Sequence, residues 1–112
     1  RKIVATGHSL GGSLALHVAR YFPSIVAIGF NPGSSIVGRC WDMPNQIVRY
    51  VNTDVISNMS GWRSCNTGDV KGIDTKLRKC PFYLPNSVKK SCNEMRAHSI
   101  DNFTDLEVNY YF

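Results

Sequence analysis

A chain of 112 residues is long enough to bury one core and too short for two, so 1–112 is read as part or all of a single domain. With 43% hydrophobic and 19% charged residues it has the composition of a packed globular protein, which excludes wholesale disorder, and its apolar runs are far shorter than the ~20 residues needed to cross a bilayer. The net charge of +5 is concentrated from Arg63 to Arg96, where eight Lys or Arg stand against Asp69, Asp74 and Glu94; no nucleic-acid motif accompanies it, so it reads as a solvated loop or as a face turned to anionic lipid headgroups.

The first apolar run, Ile3-Val4-Ala5, belongs to a short strand predicted over 2–5. It leads into Gly7-His8-Ser9-Leu10-Gly11, the G-x-S-x-G pattern of a nucleophile elbow. In such an elbow a strand turns sharply into a helix and the serine is driven into a strained backbone conformation. Gly7 and Gly11 are expected there because Cβ atoms would collide across the turn. Five residues alone carry little weight; the β-branched run before them and the helical run Leu14 to Ala19 after them supply the context the pattern needs. That helix is predicted over 11–21, with Leu10, Leu14 and Val18 as its buried stripe and Ala15 and Ala19 as a small face that a sheet can approach. Pro23 ends it.

Ser24 to Phe30 is a continuous apolar run, the signature of a strand covered on both faces in a parallel sheet, and strand, helix, strand makes a right-handed crossover. After a loop to about Asn45, Gln46 to Asn52 alternates well enough to be a third strand, and Asp54 follows its end. From 57 to 96 periodicity disappears and the segment reads as a long loop, of the kind more often functional, disulfide-tied or a cover over a site than inert. Ile100, Phe103 and Leu106 then predict a short helix from Ser99 to Leu106. The fold class is α/β with a parallel sheet.

Cys40, Cys65, Cys80 and Cys92 lack the paired C-x-x-C spacing of a structural zinc site, and no metal or cofactor is expected. Two disulfides in any of three pairings are compatible with the count, and the loop from Cys80 to Cys92 is an easy one to close. Disulfides would suit a secreted or otherwise oxidising setting, which is weakly favoured; the sequons at Asn58 and Asn102 are compatible with export and add little.

Serine needs a base to take its proton, and the base needs a carboxylate to fix its tautomer and stabilise its charged form. In the α/β-hydrolase arrangement these follow in the chain order Ser, Asp or Glu, His, each at or beyond the carboxyl end of a strand. Ser9, Asp54 and His98 satisfy that order. Asp42, Asp69 and Asp74 have no strand predicted before them, and Asp101 follows every histidine; His8 is held inside the elbow and His17 lies two turns down the helix. One oxyanion donor is expected from the backbone N–H of Leu10, at the head of the helix; its partner belongs to a loop after an earlier strand.

These residues carry a likeness to a known family. Thr6 to Ala15 resembles the elbow of the class 3 (fungal-type) lipases, Phe30-Asn31-Pro32-Gly33 that family's strand-end segment, Arg49 to Ile56 the segment bearing its aspartate, and His98 to Phe103 the one bearing its histidine. Val55 and Ser57 stand where the family often has prolines. The resemblance implies a partial α/β-hydrolase fold, its N-terminal strands missing from these residues, and a C-terminal half completed by an N-terminal segment or a partner chain against the first strand. It also implies a serine ester hydrolase acting on lipid esters at a lipid–water interface, of triacylglycerol lipase or phospholipase type. The alternative from another class is a catalytically silent lipase-like module serving as a structural or binding part of a larger assembly.

Overall fold

A computed structural model describes residues 2–33, 44–59, 69–75 and 77–103. It is a mixed α/β structure around a four-stranded sheet. The strands β1 (Val4–His8), β2 (Val26–Phe30), β3 (Gln46–Val51) and β4 (Asp69–Ile73) lie side by side in sequence order, and every neighbouring pair is parallel. The register sets Ala5 beside Ala27, Gly29 beside Val48 and Val48 beside Val70. Since side chains alternate along a strand, these residues share one face.

The helix α1 (Leu10–Tyr21) covers that face. Ala15, Leu16 and Ala19 form one buried cluster with Ala27, Val48 and Tyr50, and Ala5 and Val70 close its sides. Close approach explains the choice of residues. A Cβ on Gly29 would stand 3.0 Å from Leu16 Cδ1, so small residues must meet the sheet. The expected stripe of Leu10, Leu14 and Val18 is therefore corrected: all three are exposed, and the buried side runs through Gly12, Ser13, Ala15, Leu16 and Ala19. The small face was right and the large one was not. The end of α1 is tied down by Asn45, whose Nδ2 donates to the carbonyls of Ala19 (2.8 Å) and Ile25 (2.7 Å), and by Gln46, whose Nε2 donates to Leu16 O at 2.8 Å.

The opposite face carries Phe30, Val51 and Ile73, and here α3 (Asn86–His98) and a 3₁₀ turn (Ile100–Phe103) contribute Ala97 and Phe103 to a second cluster. The reading of 57–96 as one long loop is corrected by these elements. α2 (Val55–Met59) runs into it, β4 lies inside it, and the 13-residue α3 begins inside it and ends two residues beyond. Of all its residues α3 buries only Ala97, so no apolar period marks it. β4 is an edge strand among the described residues, with Asp69, Lys71 and Gly72 exposed. Of the helix predicted from Ser99 to Leu106 the structure describes only the 3₁₀ turn; the remainder lies outside the described residues.

A disulfide joins Cys80 to Cys92, one of the pairings the cysteine count allowed. Cys40 and Cys65 lie outside the described residues. The sequon at Asn102 falls on a fully buried side chain whose Nδ2 donates into the end of α3, so this asparagine is not presented to solvent.

Candidate active site

β1 ends at His8, α1 begins at Leu10, and Ser9 is the single residue between them. Its backbone sits at φ 57°, ψ −123°, a left-handed region in which a non-glycine residue costs ~1–3 kcal/mol. Three backbone hydrogen bonds hold it there. Ser9 N–H donates to Phe30 O (3.0 Å), and Ser9 O accepts from Ser13 N–H (3.1 Å) and Gly33 N–H (3.3 Å). At Gly7 a Cβ would lie 2.3 Å from the backbone of Gly11, so only glycine fits. Gly11 is different. A Cβ there meets nothing within 4 Å, which corrects its assignment as a sterically required glycine. The second tight position is Gly12, whose Cβ would stand 3.0 Å from Gly7 O.

Leu10 is the first residue of α1, so its N–H has no carbonyl four residues earlier within the helix to bond to.

His98, the last residue of α3, stands over Ser9. Ser9 Oγ–H donates to His98 Nε2 at 2.7 Å, and His98 Nδ1–H donates to Asp54 Oδ1 at 3.0 Å, with Oδ2 at 3.1 Å. A carboxylate only accepts, so Asp54 fixes the tautomer that leaves Nε2 free to receive a proton. Asp54 follows β3 and is 1% exposed. The structure thus brings Ser9, Asp54 and His98 together, 89 and 44 residues apart along the chain at the two hydrogen bonds.

Four further residues build this site, none singled out by the sequence for a role in it. Ser57 Oγ–H donates to Asp54 Oδ2 at 2.5 Å, and its N–H adds a contact at 3.3 Å, from the first turns of α2. A proline at 57 could make neither bond. Asn31, fully buried at φ 44°, donates from Nδ2 to Ala97 O (2.9 Å) and accepts at Oδ1 from Val51 N–H (2.8 Å), which locks the end of α3 to the sheet at the height of His98. Asn102 Nδ2 donates to Arg96 O at 2.7 Å and Ser99 O at 2.9 Å, satisfying carbonyls at the helix end, while its Oδ1 accepts from Thr75. His8 does not reach Ser9 Oγ; its Nε2–H donates to the backbone carbonyl of His98 at 2.5 Å. Buried asparagines and a serine are ordinary in sequence, and only the fold reveals them as ties.

The other candidates go elsewhere. His17 meets the ring of Tyr21 on α1, Asp74 accepts from Asn52, and Asp101 lies in the 3₁₀ turn. Asp69 pairs with Arg49 at 3.0 Å, and the hydrogen bond from the guanidinium holds its carboxyl below the ordinary range. Asp42 lies outside the described residues. A cavity of about 300 Å³ opens on Asp54 and His98, walled by Val55, Ile56, Met95 and Glu94.

Comparison of the chain with protein-family models, with curated proteins and with solved structures gives no match in any of the three. The class defined here is accordingly a parallel α/β sheet carrying a strained serine hydrogen-bonded to a histidine that is itself hydrogen-bonded to a buried aspartate.

Proposed function

We propose that this chain is part of a serine ester hydrolase of the α/β-hydrolase fold, acting on lipid esters and similar to the class 3 lipases. The observation that carries the reading is the unbroken relay from Ser9 Oγ through His98 to buried Asp54, with the serine held at φ 57° on a strand-to-helix turn. Structural histidines and serines meet often, but a strained serine that heads a helix and aims its hydroxyl at an oriented imidazole has a chemical use.

His98 Nε2 takes the Ser9 proton as Oγ attacks the ester carbonyl carbon. The carbonyl electron pair moves onto oxygen, and Leu10 N–H faces that oxyanion; one such donor is worth ~3–4 kcal/mol of barrier elsewhere. Asp54 stabilises the imidazolium. Collapse of the intermediate expels the alcohol, which leaves with the proton from His98, and Ser9 keeps the acyl group. A water then repeats the sequence and releases the acid.

The second oxyanion donor belongs, in this reading, to a further segment or partner chain packed on the β1 edge. Ile3, just before β1, and Leu10, Leu14 and Val18 on α1 are exposed, and such apolar surface is what a partner would cover. Lipid as the substrate class rests on the family resemblance and on the apolar walls of the cavity at His98.

Hydrolysis of a short-chain nitrophenyl ester by the complete protein and its Ser9→Ala variant tests the reading. Turnover abolished in the variant supports it. Equal turnover by both removes Ser9 from the chemistry, and no turnover by a folded wild type favours the silent lipase-like module.

A further inference from the structure

Beside the cavity at Asp54 and His98 lies a larger groove of about 530 Å³, with Val55 and Glu94 forming walls of both. One side is a stripe of α3 in which Asn86, Lys89, Lys90 and Asn93 recur at helical spacing, and the other brings in Arg78 and Lys79. Among the described residues, Arg78, Lys79, Lys89, Lys90 and Arg96 line this groove against one carboxylate, that of Glu94. None of these five cations makes an ion pair among the described residues. Arg96 donates to the Arg78 carbonyl and keeps its charge, so the two arginines and the three lysines together make the groove cationic.

A second feature lies at the N-terminal end of the same helix. In the turn before α3, Phe82 is 88% and Tyr83 76% exposed, with their rings edge-to-face at 6.0 Å. The turn is not loose. The Cys80–Cys92 disulfide clamps it to α3, and Cys80 N–H donates to Asn93 Oδ1 at 2.9 Å. Val88 and Met95 add exposed apolar surface further along the helix. Rigidly presented aromatic rings next to unpaired lysines suit a boundary that is apolar on one side and anionic on the other: rings settle at headgroup depth and ammonium groups meet phosphates.

We propose that this edge, the Lys79, Lys89 and Lys90 rim together with the Phe82-Tyr83 turn, docks the protein on an anionic lipid surface. The groove shares two walls, Val55 and Glu94, with the cavity at His98, so docking brings the lipid that supplies the ester beside that cavity. The purpose rests on the ester-hydrolase reading; the binding does not.

The test is sedimentation of the full chain with phosphatidylcholine vesicles with and without phosphatidylglycerol, for wild type, Lys89→Gln/Lys90→Gln and Phe82→Ala/Tyr83→Ala. All four positions are solvent-facing or half-buried, and a melting temperature unchanged from wild type confirms that each variant is folded. Each basic residue near an anionic bilayer contributes about fivefold in binding, so the lysine pair is expected to weaken partitioning to phosphatidylglycerol vesicles ~25-fold, while wild-type binding falls with salt. The aromatic variant is expected to bind weakly at every salt concentration. Both variants should hydrolyse a dissolved nitrophenyl ester as wild type does. Equal binding to neutral vesicles, or binding unaltered in the lysine variant, overturns the proposal. Competition by inorganic phosphate, with vesicle binding indifferent to the aromatic pair, makes the groove a soluble-anion site and also overturns it. Vesicle binding as expected with no ester turnover by any of the proteins overturns the hydrolase reading and leaves the docking surface standing.

Discussion

Removing one hydroxyl, in Ser57→Ala, probes how Asp54 does its work. Ser57 Oγ approaches Asp54 Oδ2 at 2.5 Å, the shortest contact the carboxylate makes; its other donors are the N–H groups of Ser57 and Ile56 at 3.3 and 3.4 Å and the imidazole at 3.0 Å. A hydrogen bond to a charged acceptor is worth ~1.5–3 kcal/mol, and here the acceptor is buried and short of other strong donors. Part of that loss falls on the folded protein and lowers its melting temperature. In the proposed hydrolase the remainder falls on the transition state, where the carboxylate must stay aligned against a newly formed imidazolium. If about half of ~3 kcal/mol appears there, kcat/KM falls about tenfold, because each 1.36 kcal/mol is a factor of ten in rate. The assay is steady-state hydrolysis of a nitrophenyl ester alongside a thermal melt. A variant with wild-type kcat/KM and melting temperature would refute the claim that Ser57 positions Asp54.

The elbow glycines are expected to part company. Gly7→Ala drives a Cβ to 2.3 Å from the Gly11 backbone and should abolish both folding yield and activity, whereas Gly11→Ala points into open space and should be tolerated, with a helix-propensity gain of up to ~1 kcal/mol in a thermal melt. Asp69→Asn leaves Arg49, itself 1% exposed, without its counter-charge, and with Asp69 half-exposed and the carbonyls of Val48 and Asp69 still bonded to the guanidinium the loss is ~1–2 kcal/mol at neutral pH. Because the folded Asp69 carboxyl titrates below its unfolded range, its stabilisation is complete above the unfolded value and lost as pH falls through the folded one; denaturant melts of wild type and variant should converge in acid. Reducing the Cys80–Cys92 disulfide, which closes a loop of 12 residues' separation, should lower stability by ~3 kcal/mol on chain-entropy grounds while leaving the Ser9–His98 pair intact.

What the residues disclose in advance depends on how much of each element is apolar. β2 is an apolar run with a buried centre and announces itself, β3 was found by an alternation although its polar Gln46 and Arg49 are buried too, and the turn at Ser9 was legible from its glycines taken together with the strand before it and the helix after it. α3 escapes because it is held by a disulfide, a buried alanine and the asparagine ties at its end rather than by an apolar stripe. β4 escapes because it is short and its two apolar residues, Val70 and Ile73, pack on opposite faces of the sheet with Gly72 interrupting the alternation. On α1 the pattern located the helix and misassigned its faces, since the period cannot tell a stripe that packs on a sheet from one left exposed, and the space above Gly29 decided for the small residues. The serine, aspartate and histidine were legible from type and order. Ser57, Asn31 and Asn102 were not, because a polar residue's use as a tie is set by what the fold brings opposite it.

The most direct measurement is intact-mass and peptide analysis of the folded protein after exposure to a fluorophosphonate. Attack by an activated serine displaces fluoride and leaves one phosphonyl group, expected on Ser9 alone, and expected to slow sharply in His98→Ala. Folded protein that takes up no label, or is labelled at Ser9 just as fast without His98, would contradict a working Ser9, His98 and Asp54 relay.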